Sequence, residues 1–208
     1  MNTAKFIVFE GGEGSGKSTH IRLTAEYLKQ KNISCLVTHE PGGTEIGKKI
    51  RSLIVDKQPE KLGATAELLL FLADRAHHVE SFIQPQLESG MVVLCDRFSG
   101  STLAYQIGAR ELPQAEFILQ MEAYARHQLT PDHVIYLDVD PEVGIGRKNT
   151  QKGHEMNRLD SESLEFHRKV RAYFQKLAAE QPTWKQFDAN RSMEEVQEDI
   201  SKYIDTIL

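Results

Sequence analysis

Five short runs rich in Val, Ile, Leu and Phe, each ending near an acidic or polar residue, recur along the chain and predict β-strands. They are KFIVFE, SCLVTHE, MVVLCDR, HVIYLDV and, more weakly, WKQFDAN. Their apolar residues follow one another without alternation, which indicates strands buried on both faces, as in a parallel sheet covered by helices. The pattern therefore predicts an α/β fold with a five-stranded parallel sheet flanked by helices.

Segments with a helical period lie between and after these runs. They predict helices at about 17–31, 44–55, 64–89, 99–106, 113–127 and 161–180, and a last helix from Ser192. The stretch RKNTQKGHEMNRLD, residues 147–160, is nearly without apolar side chains, and by composition it is expected to be an exposed segment. With 208 residues and no internal repeat, the chain is expected to form a single domain.

The charge of the chain changes what partners are expected. Its 25 Lys and Arg residues are outnumbered by 30 Asp and Glu, for a net charge of −5, which argues against nucleic-acid or anionic-membrane partners. No apolar run approaches the roughly 18 residues that span a bilayer. Cys35 and Cys95 each lie in an apolar run, as small buried thiols do. We therefore expect a cytoplasmic protein in a reducing compartment, and any phosphate binding must be local.

A phosphate-binding loop connects the first predicted strand to the first predicted helix. Residues 11–18 fit the pattern G-x-x-x-x-G-K-[ST], in which glycines let backbone N–H groups converge on phosphate oxygens at a helix N-terminus. Lys17 is expected to reach the β- and γ-phosphates, and Ser18 to offer a hydroxyl to Mg²⁺. The loop predicts nucleoside triphosphate binding by Gly11, Gly12, Glu13, Gly14, Ser15, Gly16, Lys17, Ser18 and Thr19.

This loop alone leaves the function open, because switches, motors, transporters and small kinases all use it. The chain has no N-K-x-D segment for reading guanine, which weighs against a switch. Asp96, at the end of a predicted strand, is the candidate for a second Mg²⁺ ligand beside Ser18. Asp138 is a weaker candidate, for which an ordinary polar strand end is an equally good interpretation.

Further residues point to a second anion site. Arg97 follows Asp96 at the carboxyl end of a predicted strand, where ligands collect in open α/β sheets. Phe71 and Arg75 are four residues apart and share one face of a predicted helix. Two other groups accompany them: Ser101, Tyr105 and Gln106 near one face of the helix after Arg97, and Glu40 and Arg51 around a Pro-Gly-Gly turn.

Together, the phosphate loop, EPGGT and the pattern DRF-S-S-LAYQ resemble the thymidylate kinase family, the enzymes that phosphorylate dTMP with ATP. The resemblance runs through essentially the whole chain. It implies a three-layer P-loop kinase fold with a lid at about 147–160, ATP and Mg²⁺ as cofactors, and dTMP as the substrate. This chain has Gly14 where some members carry an arginine, so the resemblance is to bacterial members whose lid supplies arginines.

The resemblance also implies roles for particular residues. Phe71 would stack on the thymine ring, Arg75 and Gln106 would contact the edge of the base, and Tyr105 would lie against the deoxyribose. Arg97, with Arg51, would hold the phosphate of dTMP, and Glu13 would face the 3′-hydroxyl of the acceptor sugar. The implied substrate-binding set is Glu13, Glu40, Arg51, Phe71, Arg75, Arg97, Ser101, Tyr105 and Gln106. The catalytic set is Lys17, Arg97, Arg158, Arg147 and Glu13, with Arg158 the first choice for the lid arginine that meets the γ-phosphate.

Two alternatives and two further expectations remain. The chain could be a P-loop kinase for another small acceptor, or a nucleotide-dependent switch or assembly ATPase that needs no acceptor. His77 and His78 are adjacent on a helix and point about 100° apart, so they are expected to be surface or interface residues rather than a metal pair. The apolar helix at 64–89 and the segment LQMEAYARHQL carry more apolar surface than one sheet face needs, and with the resemblance they indicate a homodimer.

Overall fold

The structure is a computed structural model, and it describes residues 4–56, 59–150 and 157–208. A five-stranded parallel sheet in the order β2-β3-β1-β4-β5 forms its centre, as the sequence predicted. The strands are β1 (Lys5–Gly11), β2 (Cys35–His39), β3 (Val92–Asp96), β4 (His133–Asp138) and β5 (Trp184–Asp188).

Nine α-helical segments accompany the sheet in the described residues: α1 (Lys17–Gln30), α2 (Glu45–Val55), α3 (Ala64–His78), α4 (Gln84–Glu88), α5 (Ser99–Thr102), α6 (Ala115–Ala125), α7 (Pro141–Thr150), α8 (Leu164–Glu180) and α9 (Met193–Ile207). Two π-helical segments, one after α3 and one after α5, also occur in the described residues. Val79–Ile83 makes α3 and α4 one continuous rod, and Leu103–Ala109 extends α5.

Helices cover both faces of the sheet. Side chains alternate along β1, so Ile7 and Phe9 pack with residues of α1 and α9 on one face. Phe6 and Val8 pack on the other face with Val79 and Ile83 of the long helical rod. Burying both sets explains why the strand has no polar alternation. The result is a helix–sheet–helix arrangement, in agreement with the predicted three-layer fold.

The predicted helix bounds agree with the structure to within a few residues, with one omission. Helix α7 was not predicted, and residues 147–150, assigned by composition to an exposed segment, form its last turn. Gly144 and Gly146 weaken the helical signal there, because glycine is a poor helix former. The rest of the predicted lid falls partly on residues 151–156, which lie outside the described residues.

The structure tests the expectations for the adjacent histidines, His77 and His78, and for the two cysteines. His78 is not a surface residue: it is fully buried, and its ring nitrogens lie 2.7 Å from Thr38 Oγ1 and 3.0 Å from Glu40 Oε1. The prediction for His78 was therefore wrong, while His77 is half-buried. Cys95 is buried and Cys35 half-buried, and both are free thiols.

The register of the sheet brings the strand ends together at one edge. Phe9 pairs with Asp96 across β1 and β3, and His39 pairs with Asp96 across β2 and β3. In open sheets of parallel strands, ligands bind just beyond the carboxyl ends of the strands. The phosphate loop after β1, the turn after β2 and the turn after β3 therefore meet.

Among the helices of the described ranges, none has the length and apolar character to cross a membrane.

Candidate active site

A cavity of about 800 Å³ lies at this edge of the sheet, a size that suits nucleotide ligands. It is lined by sixteen of the residues singled out from the sequence: Glu13, Gly14, Ser15, Gly16, Lys17, Ser18, Thr19, Glu40, Arg51, Phe71, Arg75, Asp96, Arg97, Ser101, Tyr105 and Arg147. Four others, Gly11, Gly12, Gln106 and Arg158, are not part of its wall. The structure thus collects most of the predicted site around one space.

The phosphate loop needs glycine at two positions in particular. Gly16 immediately precedes α1 with φ +87°, a left-handed conformation that costs side-chain-bearing residues about 1 kcal/mol or more. Gly14 has φ +67°, and a Cβ there would lie 2.0 Å from the carbonyl oxygen of Gly144. The loop can therefore turn into α1 while α7 packs directly on its backbone.

Lys17 is held inside the loop. Its ammonium group donates to the carbonyl oxygens of Gly11 and Gly12 at 3.0 and 2.8 Å, and the residue is only 7% exposed. Burial lowers the pKa of Lys17 to about 8, and the neighbouring Arg97 cation adds to the shift. The Asp96 and Glu13 carboxylates oppose this shift, and a bound polyphosphate would add further negative charge beside the ammonium.

The two candidate metal ligands are in direct contact. Ser18 Oγ donates to Asp96 Oδ2 at 2.8 Å, and both residues face the cavity. A hydroxyl and a carboxylate are hard oxygen donors of the kind that Mg²⁺ prefers. Asp138 is placed differently: it lies outside the cavity wall, and its carboxylate accepts from Arg171 Nε at 2.7 Å and Gln175 Nε2 at 3.1 Å.

Arg97 takes an unusual backbone conformation to reach the phosphate loop. Its φ is +70°, in the left-handed region that non-glycine residues avoid, and such strain is often found at functional sites. Its guanidinium donates to Gly11 O and Ser101 Oγ, both at 3.1 Å, and to Glu13 Oε1 at 2.7 Å.

The turn around Arg97 is held by a carboxylate that the sequence analysis left without a role. Glu10 is fully buried, and it accepts from the backbone N–H groups of Phe98 and Ser101 at 3.0 and 2.9 Å. It also accepts from Ser101 Oγ at 2.6 Å. Burial raises the pKa of Glu10, although these hydrogen bonds and Arg97 oppose the rise. In the sequence, this role of Glu10 was indicated only by its position as an acidic residue at the end of the first predicted strand.

Glu13, the acidic residue of the phosphate loop, is surrounded by donors. Its Oε1 accepts from Arg97 and from the Tyr105 hydroxyl at 2.9 Å, and its Oε2 accepts from Lys148 Nζ at 2.5 Å. Burial favours the neutral acid, but the Arg97, Lys17 and Lys148 cations outweigh it and hold the pKa of Glu13 well below its usual range. The carboxylate is therefore ionised at neutral pH.

Arg75 and Glu40 form a buried ion pair in the wall of the cavity. Arg75 is 2% exposed and donates to Glu40 Oε2 at 2.9 Å and to Thr102 Oγ1 at 2.9 Å. Glu40 also binds the ring of His78. Most of the Arg75 donors thus meet protein acceptors, so this residue shapes the wall as part of a network. Phe71, four residues before Arg75 on α3, is half-buried and also lines the cavity.

Gln106 and Arg158 lie away from the cavity. Gln106 is fully buried, and its amide donates to Glu67 Oε1 at 2.7 Å. Arg158 donates to the carbonyl oxygen of Ile54 at 2.9 Å and forms an ion pair with Glu67. Both are thus held by one carboxylate on α3, for which the sequence carried no signal. Their predicted contacts with the base and the γ-phosphate stay predictions.

Helix α7 brings two cations of the predicted lid toward the phosphate loop. Arg147 lines the cavity and donates to Ala189 O at 2.8 Å. Lys148, to which no role was assigned from the sequence, donates to Glu13 and pairs with Asp160. Arg51 approaches from α2, and its guanidinium donates to Pro41 O at 2.9 Å while the side chain faces the cavity.

A cradle for a triphosphate and a separate cluster of cations with an aromatic wall share one cavity at the edge of a parallel sheet. This arrangement defines a P-loop kinase of the kind that acts on small nucleotides. A family model described as Thymidylate kinase matches residues 9–200. The chain belongs to the thymidylate kinase family.

Individual relatives agree over nearly the full chain. A thymidylate kinase of Symbiobacterium thermophilum is 44% identical over 204 residues, which cover 98% of this chain and 94% of the relative. One of Clostridium novyi is 39% identical over 205 residues, covering 98% of this chain and 100% of the relative. One of a Synechococcus strain is 48% identical over 177 residues, covering 85% and 82%.

Proposed function

We propose that this protein transfers the γ-phosphoryl group of ATP to the 5′-phosphate of dTMP, giving dTDP and ADP in the synthesis of dTTP. The observation that carries the proposal is the shared cavity: the phosphate loop with Lys17 lines it together with Arg97, Tyr105 and Phe71. Membership of the thymidylate kinase family supports dTMP as the acceptor over other small acceptors.

On the donor side, the loop N–H groups and the N-terminus of α1 bind the β- and γ-phosphates, and Lys17 leaves the loop carbonyls to meet them. Ser18 and Asp96 are the residues that would hold Mg²⁺, and their two oxygen donors in contact suit that ion. The metal, when bound, neutralises charge on the phosphate oxygens. Arg147 is the lid arginine that lies in the cavity wall, so we assign it the role of contacting the transferred group.

On the acceptor side, Arg97 binds the 5′-phosphate of dTMP, with Arg51 approaching from α2. Phe71 stacks on the thymine ring, and Glu13 accepts a hydrogen bond from the 3′-hydroxyl. The Tyr105 ring, 5% exposed and anchored through its hydroxyl to Glu13, fills the space that a 2′-hydroxyl would need. These assignments rest on the family resemblance together with the positions of the side chains around the cavity.

The reaction asks the protein for alignment and charge neutralisation rather than for a base. The attacking atom is an oxygen of the dTMP phosphate, which is already anionic at neutral pH and has no proton to remove. Lys17, Arg97 and Arg147 surround the path between the two nucleotides and balance the charge on the moving phosphoryl group. Excluding water from this space favours transfer over hydrolysis.

An acceptor panel in a coupled ADP-release assay tests the proposal. We expect turnover with dTMP to exceed that with dCMP, dGMP, dAMP and UMP, and little ADP release without an acceptor. Faster turnover with another monophosphate would favour a kinase for that acceptor. Strong ATP hydrolysis that dTMP does not change would favour a switch or assembly ATPase.

A Lys17→Ala variant tests the donor side in the same assay. It should abolish activity, because the ammonium group that meets the β- and γ-phosphates is gone. Lys169→Met is the matched control, since Lys169 lies on α8 in an exposed ion pair with Glu111. Normal turnover by a folded Lys17→Ala protein would contradict the mechanism.

We also propose a homodimer in the cytoplasm, built as a single domain. Support for the dimer comes from large apolar side chains that are exposed on α2, α3 and α6. These helices are neighbours, because α2 packs against α3 and α3 packs against α6. These are Ile46, Leu53, Leu69, Phe117, Leu119 and Tyr124. The free thiols Cys35 and Cys95 suit a reducing compartment.

A further inference from the structure

Helix α7 docks on the phosphate loop without side chains between the two backbones. A Cβ added to Gly14 would lie 2.0 Å from Gly144 O, and one added to Gly144 would lie 2.1 Å from Glu13 O. Such a contact fixes which face of α7 points at the loop. Residues four apart lie on the same face of a helix, so Lys148 is the residue one turn beyond this contact.

Lys148 uses that position to bridge two carboxylates. Its ammonium donates to Glu13 Oε2 at 2.5 Å and pairs with Asp160, and the three side chains are 17%, 12% and 1% exposed. Asp160 is itself anchored, since its other oxygen accepts from the backbone N–H of Asn157 at 3.2 Å. The ammonium is therefore fixed from behind as well as bound to Glu13.

The two oxygens of Glu13 are held by different parts of the molecule. Oε1 accepts from Arg97 and Tyr105, which follow β3, while Oε2 accepts from Lys148 on α7. With donors only on Oε1, the carboxylate could turn about that point. The bond from Lys148 to the second oxygen opposes this rotation. A carboxylate oxygen has two lone pairs, so Oε2 can accept from Lys148 and from a ligand hydroxyl together.

We propose that Lys148 is a positioning residue that holds Glu13 toward the 3′-hydroxyl of the acceptor sugar and so sets the preference for acceptors that carry this hydroxyl. The inference rests on the proposed function, in which Glu13 meets that hydroxyl. It adds a specificity role for a residue of α7 that acts through Glu13.

The test compares dTMP with 3′-deoxythymidine monophosphate as acceptors for the full-length enzyme. Lys148→Met should reduce the ratio of the two kcat/KM values by about tenfold, the effect of roughly one charged hydrogen bond. The change should appear mainly as a higher KM for dTMP. Lys148→Arg, which keeps the cation, should retain most of the preference, and Lys169→Met should leave it unchanged.

A purely structural role would slow both acceptors alike, so an unchanged ratio in Lys148→Met overturns the inference. If Lys148→Met does not fold, Lys148→Leu gives the same comparison with another apolar side chain that cannot donate to Glu13. A double-mutant cycle provides the second readout. In a Glu13→Gln background, Lys148→Met should lower the ratio no further, and an additional tenfold loss would show that Lys148 does not act through Glu13.

Failure of the proposed function would look different. A wild-type enzyme that does not phosphorylate dTMP would overturn the proposed function and this inference together. A wild-type enzyme that uses both acceptors equally would keep the kinase function but remove the role of Glu13 at the 3′-hydroxyl, and with it the inference. Preference in the wild type that Lys148→Met leaves intact would overturn the inference alone.

Discussion

Asp74 gives a quantitative prediction about the buried charges beneath the cavity. It lies on α3, is 1% exposed, and accepts from the backbone N–H of Gly42 at 3.1 Å through Oδ1. Within the described residues its Oδ2 has no hydrogen-bond partner. Burial raises the pKa of Asp74 to about 6, and the negative charge of Glu40 adds to the rise. Asp74→Asn keeps the shape of this side chain and removes its charge.

The raised pKa determines how stability depends on pH. From about pH 4 to 6, folded Asp74 keeps a proton that the unfolded chain has lost, so stability falls as pH rises through this window. Above about pH 6, the loss of folding stability caused by the buried, ionised Asp74 carboxylate is complete. A shift from 3.8 to about 6 corresponds to about 3 kcal/mol, with roughly half of that already present at pH 5. Replacing Asp74 with asparagine should therefore raise the free energy of unfolding more at high pH than at low pH.

Urea unfolding of wild type and Asp74→Asn at pH 5 and pH 8 measures this difference. Any fixed cost of the new amide cancels when the two pH values are compared, so Asp74→Asn should gain about 1 to 2 kcal/mol more at pH 8 than at pH 5. Asp205→Asn is the control, because hydrogen bonds from Lys31 and Tyr27 lower the pKa of exposed Asp205 and no such gain is expected. An equal effect of Asp74→Asn at both pH values would refute the reasoning.

Three further predictions concern the site and the assembly. Tyr105→Ala should reduce the preference for dTMP over UMP because space opens for a 2′-hydroxyl, and an unchanged ratio of kcat/KM values would rule this role out. Arg147→Ala should lower kcat by on the order of 10³-fold. Arg158→Ala should mainly lower the midpoint of urea unfolding, because it leaves buried Glu67 with one cation fewer. A larger loss of kcat in Arg158→Ala than in Arg147→Ala would assign the phosphoryl contact to Arg158. Phe117→Asp should shift the protein from dimer to monomer in sedimentation analysis, and a monomeric wild type would remove the dimer proposal.

Local sequence patterns were sufficient for most of the fold. Unbroken apolar runs predicted β1, β3 and β4, because burial on both faces leaves no room for polar residues. The edge strand β5, WKQFD, has exposed polar residues and was predicted from a weaker pattern. Helix α7 was missed because Gly144, whose lack of a side chain permits the close contact with the phosphate loop, also weakens the helical pattern. The π-helical segment Val79–Ile83 left no mark in the apolar period and was predicted as ordinary helix.

The site was predictable where a residue's role follows from its neighbours in the chain. Lys17, Ser18 and Arg97 stand beside turns and strand ends, and the sheet register brings them together. His78 shows the limit, because its partners Thr38 and Glu40 are 40 and 38 residues away, and nothing local marks it as buried. The contacts of Gln106 and Arg158 with Glu67 join residues that are 39 and 91 positions apart, and only the folded chain defines them.

The central claim is that donor and acceptor nucleotides share one cavity, with dTMP bound between Arg97 and Phe71. A crystal structure of the protein with dTMP tests it most directly. The account predicts the 5′-phosphate within hydrogen-bond distance of the Arg97 guanidinium and the thymine ring against the Phe71 ring. Binding of dTMP elsewhere, with neither residue in contact, would contradict it.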